Sequence, residues 1–346
     1  MNNCEVSVES FPPHPYVEAG ETGQVLHIDF KLTNRTTKVV ELQELVTSVT
    51  ADGEVIYRRH IDQNGLPSAL STVPGLPVAP GGSVTIFNPL ERFPRDLPLA
   101  SVTYKFVLGT PGTAARWERS IELSPRSMPT GPELVLPLRG RLLVYEAHDY
   151  YGHHRRLDTQ HPMVRDLGLT SNSGRFSYDL SLVDVNGRMF RGDGTRNDDW
   201  YSWEQAVLAA GSGVVVACAN DRQDFEIGAE GFQIPSAPLR DTSVFLGNYV
   251  TIRHSRGVYS MTGHLRSGSL RVDTGQHVMA GDQLGRVGFS GSCVTVHTHF
   301  QLQAGASFNS EGIPSNFTAF RRLRGAKSTN VHRGAVESGD IVRSLA

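Results

Sequence analysis

Between Val25 and Leu32 apolar and polar side chains alternate, with Leu26, Ile28, Phe30 and Leu32 on one side and His27, Asp29 and Lys31 between them. An extended chain sends every second side chain to the same face, so this period of two predicts a half-buried β-strand and excludes an amphipathic helix. Similar short runs follow at Val39–Val49, Glu54–Ile61, Ser83–Phe87, Val102–Leu108 and Trp117–Leu123. Asp52-Gly53, between the first two, is a favoured two-residue hairpin turn, and segments such as Val78-Ala79-Pro80-Gly81-Gly82 punctuate the others.

This density of short antiparallel strands predicts an N-terminal β-sandwich of immunoglobulin-like type, in an all-β protein. A chain of 346 residues exceeds one typical domain. The stretch Ser124 to Pro132, with Pro125, Pro129 and Pro132, reads as the linker between an accessory domain at 1–127 and a second domain at 128–346. The balance of 33 Lys+Arg against 35 Asp+Glu gives a net charge of −2, so no overall basic field points to nucleic acid. No apolar stretch approaches the roughly 18–20 residues that span a bilayer. The opening Met1-Asn2-Asn3-Cys4-Glu5-Val6 carries no visible secretory signal. Cys4, Cys218 and Cys293 are too few for a disulfide scaffold or a thiolate zinc cluster.

The second region differs in chemistry, because nine of the 13 histidines lie between His148 and His299. In Val296-His297-Thr298-His299-Phe300-Gln301-Leu302 two imidazoles at i and i+2 share one strand face. Upstream stand Gly247-Asn248-Tyr249-Val250 and Gly263-His264-Leu265, then a hairpin from Val272 to Gly288 in which Gly275 and Gly281 occupy turn positions suited to positive φ. In this order, over about residues 175–303, the motifs resemble the lysostaphin-type (LytM-like) zinc metalloendopeptidases, which cut peptide cross-links in bacterial cell walls.

The resemblance implies a lysostaphin-like antiparallel β domain with long loops, and a Zn²⁺ ion with three protein ligands and an open position for water. Carried over, His299 becomes a metal ligand and His264 and His297 become catalytic. The implied substrate is the peptide portion of peptidoglycan, which places the protein outside the cytoplasm, its leader removed or its export by another route. The family draws its other ligands from H-x-x-x-D; Asp179 supplies the carboxylate, but position 175 is arginine, which cannot ligate zinc. One explanation brings the missing histidine from His153-His154, with His154 placed ahead of His153. His154 to Asp158 is itself a literal H-x-x-x-D, which makes Asp158 a rival to Asp179; Asp179 ranks first because the remaining strand motifs follow it in order. The other explanation is a degenerate, noncatalytic domain that binds cell wall or regulates a partner.

Gly192 to Asp199 reads as an exposed loop bordering the substrate groove, 221–231 as another wall, and Cys293 as a small buried residue. Residues Gly312 to Ala346 read as a short completion of the second domain. The Val272–Gly288 hairpin also resembles lipoyl and biotinyl carriers, but the lysines are Lys31, Lys38, Lys105 and Lys327, so no swinging arm attaches there.

Overall fold

The computed structural model describes residues 5–345 apart from 21, 129–130, 151, 229–240 and 255–256. The chain divides into two compact units, Met1–Met128 with Asp158–Val164, and Pro129–Leu157 with Arg165–Ala346. The short segment at 158–164 therefore groups with the first unit. Strands are the dominant regular structure of both units and helices are few and short, so the chain is all-β.

In the first unit, strands Val6–Phe11, Asp29–Asn34 and Ser83–Phe87 form one antiparallel sheet. Strands Arg116–Leu123, Ser101–Gly109, Glu41–Ala51 and Glu54–Asp62 form another. Phe30 of the first sheet places its ring centroid 4.9 Å from both Tyr104 and Phe106 of the second, and all three are fully buried. Asp52 and Gly53 take φ of 49° and 81°, the two positive values of a type I′ hairpin turn. The run predicted as one strand from Val25 to Leu32 is two. Gln24–Leu26 joins a third sheet with Tyr16–Ala19, Arg92–Phe93 and Arg126–Ser127, and Asp29–Asn34 joins the first. The break falls at His27 and Ile28, where the chain changes sheet while both side chains stay buried.

The second unit is organised on an eleven-stranded sheet. Its central order runs Asn248–Arg253, Tyr259–Leu265, Thr298–Gln303, Tyr178–Leu182 and Arg141–Glu146, with antiparallel neighbours throughout. Residues after Gly312 are more than a short completion, because Ile341–Ser344, Phe317–Arg324 and Lys327–Gly334 extend the sheet beyond Arg141–Glu146.

Register assigns the two faces of this sheet. Tyr178 opposes Phe300, and the Phe317 ring lies 5.2 Å from Tyr178 and 5.5 Å from Phe300, so this face carries apolar core. Asp179 opposes His299 and Gly263 opposes His299 from the other side, so the opposite face carries the candidate site. Gly275 and Gly281 take φ of 95° and 90° in their turns. Gly192 to Asp199 is mostly exposed. The expected wall at 221–231 lies in part outside the described residues.

Candidate metal centre

Asp179 sits in the middle of the sheet, 3% exposed, with three imidazoles around its carboxylate. His154 Nε2 is 3.2 Å from Oδ1 and 3.1 Å from Oδ2, and His299 Nδ1 is 3.0 Å from Oδ1. His297 Nε2 approaches the same oxygen at 3.4 Å, and the His264 ring lies 4.6 Å from that of His297. Residues separated by up to 145 positions along the chain thus converge, because neighbouring strands bring Asp179, His299 and Gly263 into one row.

Hydrogen bonds to oxygen atoms that can only accept fix the ring tautomers. His264 Nδ1–H donates to Ser290 O at 2.8 Å, which leaves Nε2 of the neutral ring with its lone pair, and His297 Nδ1–H donates to Thr295 O at 2.8 Å, which turns its Nε2 toward Asp179. His299 is held the other way round, with Nε2–H donating to Gln301 Oε1 at 2.8 Å and Nδ1 facing Asp179. Gln301 in turn donates to Gln303 Oε1 at 2.6 Å, and Gln303 to the carbonyls of Gly305 and Ser307. Such outer partners fix which nitrogen a metal ligand presents.

His264 has φ of 59°, a left-handed conformation uncommon for residues with a side chain. It stands in a β-bulge, where the pairing of Asn248 with Leu265 steps to that of Val250 with Thr262. A bulge re-aims a side chain that regular pleating would point elsewhere. Gly247 supports the same place with φ of 61°, and a Cβ there would collide with the Ser290 carbonyl that holds His264. The Ser290 hydroxyl accepts from Asn248 N–H at 2.9 Å and donates to Leu265 O at 2.7 Å, which gives the Gly-Asn pair its structural task.

Burial would raise the Asp179 carboxyl, but the neighbouring His297 and His154 imidazoles hold it well below the usual carboxylate range. Burial lowers His297, and the Asp179 charge overcomes this to raise it. For His154 burial wins over attraction to Asp179 and lowers the ring to about 4. His264 is held well below its ordinary value by burial and by repulsion from His297 and His299. Near neutral pH the centre therefore combines an ionised carboxylate with neutral His154 and His264.

His153 and His154 part company here. Glu146 accepts hydrogen bonds from both the backbone N–H and Nδ1–H of His153, while His154 turns to Asp179. His153, His154 and Asp179 nevertheless present ligand atoms within 4.8 Å of one another. Asp158 is elsewhere, accepting the Thr85 hydroxyl at 2.5 Å within the first unit. Arg175, where a histidine was sought, pairs with Glu311 at 2.5 Å. Cys293 is buried, and burial, followed by the Asp179 and Asp224 charges, pushes its thiol well up, away from the nucleophilic thiolate. A cavity of about 320 Å³ opens among Glu146, His154, Asp179, His264, Cys293 and His297.

Two contributors escaped the sequence reading. Gln301 and Gln303 continue the period of two begun by His297 and His299, so the alternation held the signal. The Glu146–His153 contact depends on a loop closure that no spacing rule announces.

The donor set fits zinc. Ligands about 2.0–2.2 Å from a tetrahedral ion lie roughly 3.3 Å apart, near the distances of His154 Nε2 and of His299 Nδ1 from the Asp179 carboxylate. Two imidazole nitrogens and one carboxylate also form a common hydrolytic set.

No curated protein matches the chain. Among solved structures it is similar to the catalytic domain of the antimicrobial peptidase lysostaphin from Staphylococcus simulans, at 19% identity over 42% of this chain and 80% of that one, with a TM-score of 0.26. A zinc-containing peptidase from Vibrio cholerae shares 12% identity over 81% and 78% of the two chains, with a TM-score of 0.24. A chain of the SpoIIQ–SpoIIIAH pore-forming complex shares 16% identity over 53% and 87%, with a TM-score of 0.28. Among the described residues no helix is long and apolar enough to cross a membrane. Residues 201–310 match the model described as Peptidase family M23; that segment contains His264, His297 and His299 and stops short of His154 and Asp179, and the match marks this segment of the second unit as lysostaphin-type (LytM-like) M23 sequence.

Proposed function

We propose that the C-terminal unit is a zinc-dependent endopeptidase that hydrolyses peptide bonds of bacterial peptidoglycan outside the cytoplasm. The observation that carries this reading is the buried Asp179 carboxylate, met by His154 and His299 at 3.0–3.2 Å beside an open cavity. His154 Nε2, Asp179 and His299 Nδ1 would hold the ion. Zinc, when bound, supplies Lewis-acid polarisation of the scissile carbonyl and lowers the pKa of water.

The chain's own residues supply the rest. His264 and His297 each direct Nε2 away from an anchored Nδ1–H, so both are set to accept, carry and return a proton during peptide cleavage. His297, raised by Asp179, is suited to the protonated form that stabilises developing negative charge. Gln301 holds His299 in the tautomer that offers Nδ1. Burial of these groups strengthens each electrostatic interaction by excluding water.

Metal analysis of purified protein, coupled to muropeptide digestion, tests the proposal. About one zinc per chain surviving dialysis, with cleavage lost on chelation and restored by zinc, is the expected result. A protein that binds wall but retains no zinc and cuts nothing is instead the noncatalytic domain that Arg175 raised as the alternative.

A further inference from the structure

The face of the eleven-stranded sheet that carries Asp179 continues beyond the cavity. Ser181, two residues from Asp179, opposes Leu143, and Arg141 lies two residues further along that strand on the same face. Arg141 opposes Arg343, and Arg343 opposes Arg321 on the following strand. Three arginines thus stand side by side across three adjacent strands, where neighbouring Cβ atoms are about 4.5–5.5 Å apart. Arg343 is exposed, and Arg141 and Arg321 are half-buried. Among the described residues none of the three pairs with a carboxylate; Arg321 donates to the Asn330 side chain at 3.0 Å. The Arg322–Asp340 ion pair belongs to a residue of opposite pleat.

Like charges directly opposite one another across strands are destabilising, so this row is a local electrostatic liability until an anion offsets it. A guanidinium presents a planar fork of donors that matches a carboxylate bidentately. Arg141 and Glu146, which lines the cavity, are the two ends of one strand and stand roughly 16 Å apart at about 3.3 Å per residue. An extended peptide of about five residues bridges that distance.

We infer that the Arg141–Arg343–Arg321 row is an anion subsite that binds carboxylates of the peptide whose backbone enters the cavity. This rests on the peptidase reading for the identity of the peptide. The subsite orients an acidic, multiply charged substrate along the sheet and disfavours neutral ones.

The test is co-sedimentation of the full chain with insoluble peptidoglycan in chelator, so that binding is read without hydrolysis. Native wall should bind roughly threefold to tenfold more tightly than wall whose carboxyls are amidated. Arg321→Gln with Arg343→Gln should abolish that difference, as should about 0.5 M salt. Arg343→Lys, which keeps the charge, should retain most of it, and unchanged melting shows that the variants fold. Equal binding of native and amidated wall by the parent protein overturns the subsite, as does a double variant that binds like the parent. Displacement by polyphosphate but not by an acidic peptide at the same concentration overturns the assignment to carboxylates. Charge-dependent binding in a protein that never cleaves muropeptides removes the peptidase reading and leaves the subsite standing.

Discussion

Asp29–Asn34 in the first unit and Thr298–Gln303 in the second are both six-residue strands with partners on each side, and they use burial differently. The first buries Phe30 and Leu32 against the opposing sheet and leaves Lys31 and Thr33 half-buried. The second is buried at every position, so His299, Gln301 and Gln303 lie inside with Phe300 and Leu302. Burying polar groups costs free energy unless each finds a partner. Here the partners form a chain from His299 through Gln301 and Gln303 to the backbone of the following loop. One strand packs one sheet on another; the other gives one face to packing and turns the second toward the candidate metal centre.

If that contrast is right, substitutions on the two strands should move different observables. The largest effect is expected at the pair proposed to be catalytic: His264→Ala or His297→Ala should lower turnover by roughly 10²–10⁴ with zinc still bound. Steady-state kinetics beside metal analysis checks this, and normal activity in His264→Ala would refute its role. Phe30→Ala should destabilise by about 3–5 kcal/mol without altering the zinc affinity of protein that remains folded, as measured by denaturant unfolding and metal titration.

Gln301→Leu removes the acceptor for His299 Nε2–H and should weaken zinc roughly 10–100-fold, while Gln301→Glu retains much of the affinity. Competition with a chelator of known affinity measures both. An unchanged affinity in Gln301→Leu would show that His299 needs no such partner and would erase half of the comparison.

The smallest effect is a pH dependence of the metal-free protein. His154, lowered from 6.5 to about 4, binds a proton in the unfolded chain before it does in the folded one, so stability falls as pH drops through that window. His297 is raised above 6.5, so its contribution is complete below that pH and is lost as pH rises through its folded value. Asp179, held well below 3.8, adds a further loss only in stronger acid. Thermal unfolding should accordingly show a shallow maximum near pH 6.5, and His154→Asn should make its acid side less steep, with buried His264 contributing the remainder.

Much of this was legible before the fold was known, and the reason differs by element. The strands at Ser83–Phe87 and Glu54–Asp62 follow from local alternation, and the turn between Glu41–Ala51 and Glu54–Asp62 from Asp52-Gly53, because pleat and turn geometry are set by a few neighbouring residues. The sheet change at His27 was invisible, since a continuous period of two looks the same whether one sheet or two receives it. His297 and His299 announced themselves by spacing, and their continuation into Gln301 and Gln303 stood in the same pattern.

The sequence by itself determined the all-β character and the concentration of histidines in the second region. Periodicity and residue type carry those, and both are local. Only the tertiary structure decided that His154 rather than His153 turns to Asp179, that Asp158 stands apart, that a bulge aims His264, and that three arginines from distant segments share a row. Each of these depends on strand register and loop closure, which are fixed by the packing of residues far apart in the chain.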